Sequence, residues 1–214
     1  KIENNIKNKN YKYFVGSRDK KKILVVGDSY AFDFYLALNT IKEYNDNFMF
    51  EYNHFDYLYC FKVKSNKDKI INFFNYKILD RRNSCKIAFK SKNFDILKDV
   101  DHIIISNRWP KNINYDDLIN FFKDLNKNII IIGNGQKFYD IPTLFFKHEE
   151  KINDYVKNLD NDIYKINSAI KKNTTKYKID FFDKSKLNCD SKCVAYHNKN
   201  ILYIDKDHWS LNSM

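Results

Sequence analysis

Short continuous apolar runs alternate along this chain with longer stretches in which apolar side chains recur every three or four residues. Ile23-Leu24-Val25-Val26-Gly27 is unbroken, largely β-branched and stopped by glycine, the pattern of a strand buried on both faces of a parallel sheet. Residues 102–106 and 129–132, the second closed by Gly133, repeat it. Residues 30–44 carry Phe34, Leu38 and Ile41 at helical spacing, with Ala31 and Ala37 between them. Residues 115–125 are amphipathic, opened by Asn114 as an N-cap with Asp116 and Asp117 in the first turn. Residues 149–172 align Ile152, Tyr155, Val156, Leu159, Ile163, Ile166 and Ile170 on one face and predict a long helix. Further strands are expected at 48–52 and 177–182, and helices at 70–79 and 94–100. A hairpin is expected from 194–196 and 201–203 across His197–Asn200. Strands and helices that alternate in this way predict a three-layer α/β fold around a central parallel sheet.

The chain has 214 residues, enough for one such domain, and shows no repeat or Pro/Ser-rich linker. Residues 1–22 read as a polar N-terminal extension, with Lys20-Lys21-Lys22 as a solvated entry to the first strand. The start has neither an initiator Met nor an apolar signal core and reads as a processed or excised piece. No apolar run approaches the length of a bilayer span. A net charge of +11 invites a polyanionic partner such as nucleic acid. The distribution argues against it: Arg occurs only at Arg18, Arg81, Arg82 and Arg108, and the many Lys are scattered among Asn. Lys, Asn, Ile, Tyr and Phe dominate over 4 Gly and 2 Pro, the signature of an A/T-biased coding sequence.

Candidate chemistry gathers where strands of this kind end, because ligands of open α/β sheets bind beyond the carboxyl ends of the strands. Ser29 sits between the first strand and its helix, where its own N–H is a free helix-terminal donor and the helix dipole favours a developing oxyanion. Alone it reads equally as a helix cap. A serine hydroxyl becomes a nucleophile only when a base takes its proton. His208 is the candidate base, and Asp205, three residues earlier, can orient the imidazole. Cys189, Cys193, His197 and His208 include the donor types of a zinc site, which would consume that base; disulfides or buried free thiols are the alternatives. Trp109, Tyr139 and Trp209 are candidates either for stacking on sugar rings or for the core.

Ile23–Ser29 followed by a helix resembles the first block of SGNH (GDSL-type) hydrolases, and Asp205-Lys206-Asp207-His208 resembles their last, Asp-x-x-His. From about Ile23 to Asn212 the chain is more specifically similar to the SGNH domain fused to membrane-bound acyltransferases that O-acylate bacterial surface glycans. The carriers are Cys189-Asp190-Ser191-Lys192-Cys193, the ending Leu202-Tyr203-Ile204-Asp205-Lys206-Asp207-His208-Trp209-Ser210, the strand closed by Arg108-Trp109, and the Pro-bearing loop after residue 129.

The resemblance implies a flavodoxin-like SGNH fold with Ser29 as nucleophile, His208 as general base then acid, and Asp205 as its orienter. It implies an O-acyltransferase, with acetyl the expected group, acting on a cell-surface polysaccharide such as lipopolysaccharide. A carbohydrate esterase and a non-catalytic glycan-binding module are the alternatives on the same fold. The acyl donor would come through a membrane-bound acyltransferase portion outside this chain, in an extracytoplasmic, periplasmic setting with a possible membrane tether. No cofactor, metal or nucleic acid is called for. Disulfides Cys189–Cys193 and Cys60–Cys85 are implied as well. The chain departs from the hydrolase pattern at the third block: Arg108 stands where the oxyanion Asn is usual, leaving Asn107 or Arg108 to bind the oxyanion or substrate. The second-block Gly is missing from residues 56–61, so its oxyanion donor has no counterpart. Asp207 is expected to lie outside the triad, and Trp209, in place of the usual Leu, to pack under the histidine loop.

Overall fold

The computed structural model describes residues 14, 19–54, 94–111, 113–138, 141–148, 151–155, 162–187, 189, 193–198, 200–203, 205 and 208–210. Five parallel strands form the sheet: β1 (Lys21–Gly27), β2 (Phe48–His54), β3 (His102–Ser106), β4 (Asn128–Ile132) and β5 (Asp180–Phe182). Their order is β2-β1-β3-β4-β5, the flavodoxin-like arrangement. Chain direction across the sheet reverses between β1 and β3, so a crevice opens at the carboxyl ends of those two strands.

Continuous apolar strands are required because both faces are covered. Leu24, Val26, Ile103, Ile105, Ile129 and Ile131 point to one face. There they meet α4 (Tyr115–Lys123) through Leu118, Ile119 and Phe122, and α7 (Asp162–Tyr177) through Ile166 and Ile170. Ile23, Val25, Ile104 and Ile132 point to the other face, where Ala31, Phe34 and Leu38 of α1 (Ser29–Thr40) pack. The predicted three-layer α/β architecture with its parallel sheet is the one observed.

Several boundaries differ from expectation. The helix expected over 30–44 is two, α1 and α2 (Lys42–Asn47), because Ile41 is extended at φ −86° and ψ 108°. The Asn39 amide and the Thr40 hydroxyl donate back to the carbonyls of Tyr35 and Ala37, competing with the next helical turn. The long helix expected over 149–172 is also two elements, α6 (Ile152–Tyr155) and α7, with 156–161 outside the described residues. An apolar stripe reports which positions are buried, not one helix: Ile152 packs with Phe138 and Trp209, while Ile166 and Ile170 pack against the sheet. Helix α7 runs on to Tyr177, which therefore ends a helix and does not begin β5. Lys178 at φ 56° and a bond from the Ile179 N–H to the Thr174 carbonyl close it. Strand β1 begins two residues inside the expected extension, because Lys22 and Asp101 exchange bonds that prolong the ladder. Helices α3 (Phe94–Asp99) and α5 (Ile141–His148) are also present; the second replaces the expected Pro-bearing loop, because proline is tolerated in a first helical turn. The expected helix at 70–79 lies outside the described residues. The hairpin is present as β6 (Tyr196–His197) and β7 (Asn200–Ile201).

Buried amides knit the carboxyl ends of the strands together. Asn134, just past β4, accepts the Trp109 N–H through Oδ1 at 2.9 Å and donates to the Trp109 carbonyl at 2.8 Å. Its own backbone N–H and carbonyl are held by the side chain of Asn167 on α7, at 2.8 and 2.9 Å. The Asn167 amide also reaches Asp183, just past β5, at 2.7 Å. Leaving buried partners unmade costs their full desolvation. Asn167→Leu is therefore expected to lower stability by about 2–4 kcal/mol, measured as a reduced urea midpoint with an unchanged slope.

Candidate active site

Strand β1 ends at Gly27, whose φ of 151° is strained for any residue with a side chain. A Cβ there would also lie 1.7 Å from the Ser106 carbonyl oxygen of β3 and 2.6 Å from Asn107 Oδ1. The close approach brings the turns after β1 and β3 into contact. The Asp28 N–H donates to Asn107 Oδ1 at 2.8 Å, and the Arg108 N–H donates to Asp28 Oδ2 at 2.9 Å. Asp28 caps α1: Oδ1 accepts the Tyr30 N–H at 2.9 Å, and its carbonyl accepts those of Ala31 and Phe32. These bonds absorb the first-turn donors beyond Ser29, so among the described residues the Ser29 N–H at the positive end of the helix is the first-turn donor left toward a ligand.

The second half of the site arrives from the far end of the chain. Beyond β7, Tyr203 and Trp209 pair in an antiparallel bridge, and the Ser210 N–H donates to the Leu202 carbonyl at 2.9 Å. Between them the chain turns on Asp205, which accepts the His208 N–H at 2.8 Å through one oxygen and faces His208 Nδ1 at 2.8 Å through the other. His208 Nε2 lies 2.9 Å from Ser29 Oγ. With the Nδ1 proton donated to the Asp205 carboxylate, Nε2 is left as acceptor for the Ser29 hydroxyl, the arrangement a general base needs. Ser29 is exposed, while His208 keeps 21% of its side chain accessible. A substrate can therefore reach the hydroxyl without unseating its base.

The structure brings together Ser29, Asp205 and His208 and places the oxyanion candidates beside them. Asn107 is fully buried: Oδ1 holds the turn, and Nδ2 has no partner among the described residues. Arg108 is exposed, with Nε 3.2 Å from the Tyr30 hydroxyl and its guanidinium 5.0 Å above the Tyr30 ring. Tyr30 in turn sets its ring edge against His208 at 5.5 Å. Trp109 and Trp209 are 2% and 8% exposed and belong to the core, which removes both as sugar-stacking surfaces. Trp209 lies under the histidine loop, in a cluster with Phe138, Tyr203 and Cys189. Cys189 and Cys193 are joined in a disulfide, so neither sulfur is a thiolate for zinc. Cys60, Cys85, Tyr139, Asp207 and residues 56–61 lie outside the described residues.

Sequence reasoning missed Asp28 as the clamp, Asn134 as a brace, and Asp33 and Lys184 behind the histidine. Asp33, four residues after Ser29 and so on the same face of α1, carried a weak signal; Lys184 carried none.

Residues 3–213 match the family described as the SGNH domain fused to AT3 domains. The chain belongs to that family. No curated protein sequence is matched. Among solved structures, this SGNH domain is similar to the periplasmic domain of a Salmonella ser. Paratyphi A lipopolysaccharide acetyltransferase. The TM-score is 0.58 at 15% identity, over 91% of this chain and 79% of that one. At that identity the likeness speaks for the fold. No helix among the described residues is long and apolar enough to cross a membrane.

Two expectations follow from the geometry of the site. Gly27→Ala should lower stability by more than about 3 kcal/mol, read as a collapsed thermal midpoint. Tyr52, whose hydroxyl donates to the Asp28 carbonyl at 3.3 Å, has its pKa raised from 10.0 to about 12, by burial first and then by the charges of Asp28 and Asp33. A raised folded-state value contributes stability that is complete below pH 10.0 and is lost as the pH climbs through about 12. Alkaline unfolding monitored by circular dichroism should show that loss, and Tyr52→Phe should flatten it.

Proposed function

We propose that this SGNH domain is a serine-dependent O-acyltransferase that moves an acyl group, acetyl in the simplest case, onto hydroxyls of a bacterial cell-surface polysaccharide. The observation that carries the reading is the continuous relay from Asp205 through His208 to Ser29, with both ring nitrogens at hydrogen-bond distance from their partners. In the first half-reaction Ser29 Oγ attacks the donor carbonyl while His208 Nε2 takes the hydroxyl proton. The tetrahedral oxyanion forms against the Ser29 N–H at the start of α1. Collapse breaks the bond to the leaving group, which departs with the proton from His208, and leaves an ester on Ser29. In the second half-reaction a sugar hydroxyl gives its proton to His208 and attacks that ester, and the proton returns to Ser29.

Arg108 is the group in this reading that meets a negative portion of donor or acceptor. Asn107 serves the oxyanion by holding the Asp28 turn, and its unpaired Nδ2 is the second donor once substrate displaces the contacts that cover it. The family's fusion to AT3 domains supports delivery of the acyl group by a membrane acyltransferase portion, and the lipopolysaccharide acetyltransferase neighbour supports a glycan acceptor in the periplasm. The Cys189–Cys193 disulfide fits an oxidising compartment. If water takes the place of the sugar, the same relay is an esterase. An assembled relay speaks against a purely glycan-binding module.

An active-site fluorophosphonate tests the nucleophile without needing an acceptor. Labelling should occur on Ser29 and vanish in Ser29→Ala; equal labelling of both proteins would sink the reading. Asp205→Asn should slow labelling and aryl acetate turnover by about 10³- to 10⁴-fold, because the imidazole loses its orienting charge. Adding a surface-glycan fragment to the acylated enzyme separates the outcomes, since a transferase yields acylated sugar and an esterase yields free acid.

A further inference from the structure

Lysine is rarely buried without a reason, yet Lys184 is 4% exposed and Asp33 only 8%. Lys184 opens the 3₁₀ turn Lys184–Lys186 after β5, and Asp33 lies one turn into α1. The Lys184 ammonium is 3.8 Å from the centre of the Trp209 ring and 5.2 Å from that of Tyr30. Trp209 directly follows His208, and Tyr30 directly follows Ser29. Asp33 Oδ2 is 3.4 Å from the Trp209 N–H. Burial raises the Asp33 pKa above the ordinary carboxylate value, and the charges of Lys184 and His208 with the Trp209 N–H pull the other way. The lysine stem is itself guided: a Cβ on Gly135 would come within 3.2 Å of Lys184 Cε and 3.3 Å of Cδ. Gly135 is thus the notch through which the stem reaches the site.

We propose that Lys184, buried beneath the Trp209 and Tyr30 rings with its charge acting on Asp33, is a positioning residue that sets where His208 meets Ser29. One cation holds both aromatic neighbours of the two reacting residues, so the serine-bearing helix and the histidine loop share a single anchor. Charged and titratable groups reach His208 from every side: Asp205 from its own loop, Asp33 and Tyr30 from α1, Lys184 from the turn after β5, and Arg108 above Tyr30 from the turn after β3. The anchor is therefore electrostatic as well as steric. Removing the cation favours proton binding at the remaining groups, and removing the Asp33 carboxylate disfavours it. The proposal rests on Ser29 and His208 acting as nucleophile and base.

The experiment follows the pH dependence of Ser29 labelling by a fluorophosphonate in the 214-residue chain, with Lys184→Met, Asp33→Asn and the double variant, each confirmed folded by circular dichroism. Lys184→Met should label roughly tenfold more slowly, as a misplaced reacting pair does. Its acid limb should move up, because the imidazole must be neutral to accept the proton and the neighbouring cation that opposes its protonation is gone. Asp33→Asn should move the limb down, and the double variant should return it toward that of the unaltered protein. Limbs that stay fixed in both single variants overturn the proposal, whether or not the rate falls, because packing alone does not move them. Limbs that move in the same direction overturn it too. Should Lys184→Met fail to fold, the downward shift in Asp33→Asn and its reversal in the double variant decide. Absence of labelling in the unaltered protein would overturn the enzymatic reading; the His208 ring titration followed by nuclear magnetic resonance then makes the same comparison, with opposed shifts supporting the anchor and none refuting it.

Discussion

The site depends on the junction between the turns after β1 and β3. The Asp28 N–H is held by the Asn107 side chain, while the Asp28 carboxylate holds the Arg108 N–H and caps α1. Three constraints meet in these few bonds. Gly27 must lack a side chain for the strands to approach, the helix must start at Ser29, and the β3 turn must lie beside it. A single aspartate thereby fixes the nucleophile's position, the direction of the helix dipole behind it and the placement of Arg108. The cost of burying Asn107 and bending the chain at Gly27 is borne by the apolar sheet beneath, whose two faces are covered by helices.

What was legible in the sequence was whatever follows from local pattern. The three apolar strands 23–27, 102–106 and 129–132 announced a parallel sheet because only burial on both faces tolerates unbroken β-branched runs. Ser29 and the Asp205–His208 pair were legible because chemistry demands those residue types at strand ends and at short spacing. The exact ends of α1 and α7 were not, since they are decided by side chains such as Asn39 and Thr40 bonding back to the helix and by a positive φ at Lys178. The abundance of asparagine hid a second lesson. Most of it reads as composition, yet Asn107, Asn134 and Asn167 are buried and bind backbone groups of other turns. Apart from Asn107, which follows an apolar strand, their immediate neighbours do not mark them, because their backbone partners lie 25 to 79 residues away.

The net charge changes meaning in the same way. At the level of composition, lysine is scattered and solvated. In the fold, two of the cations near the site do something a surface charge does not: Arg108 and Lys184 both lie over the face of Tyr30, at 5.0 and 5.2 Å. An aromatic ring with two cations over its face and the imidazole set nearly perpendicular to it at 5.5 Å is a rigid spacer between charges that would otherwise repel. Polarity at this end of the sheet is thus organised by rings as much as by hydrogen bonds.

The proposed triad joins residues separated by 179 positions, with His208 beyond the β6–β7 hairpin and outside the main sheet. A ribosome releases Ser29 and its helix long before Asp205 and His208 exist, so the growing chain carries an inert hydroxyl. In the proposed reading that hydroxyl gains its base only when the segment bearing His208 docks against α1 through Trp209. Until that long-range contact closes, the serine of the proposed relay has no imidazole to take its proton.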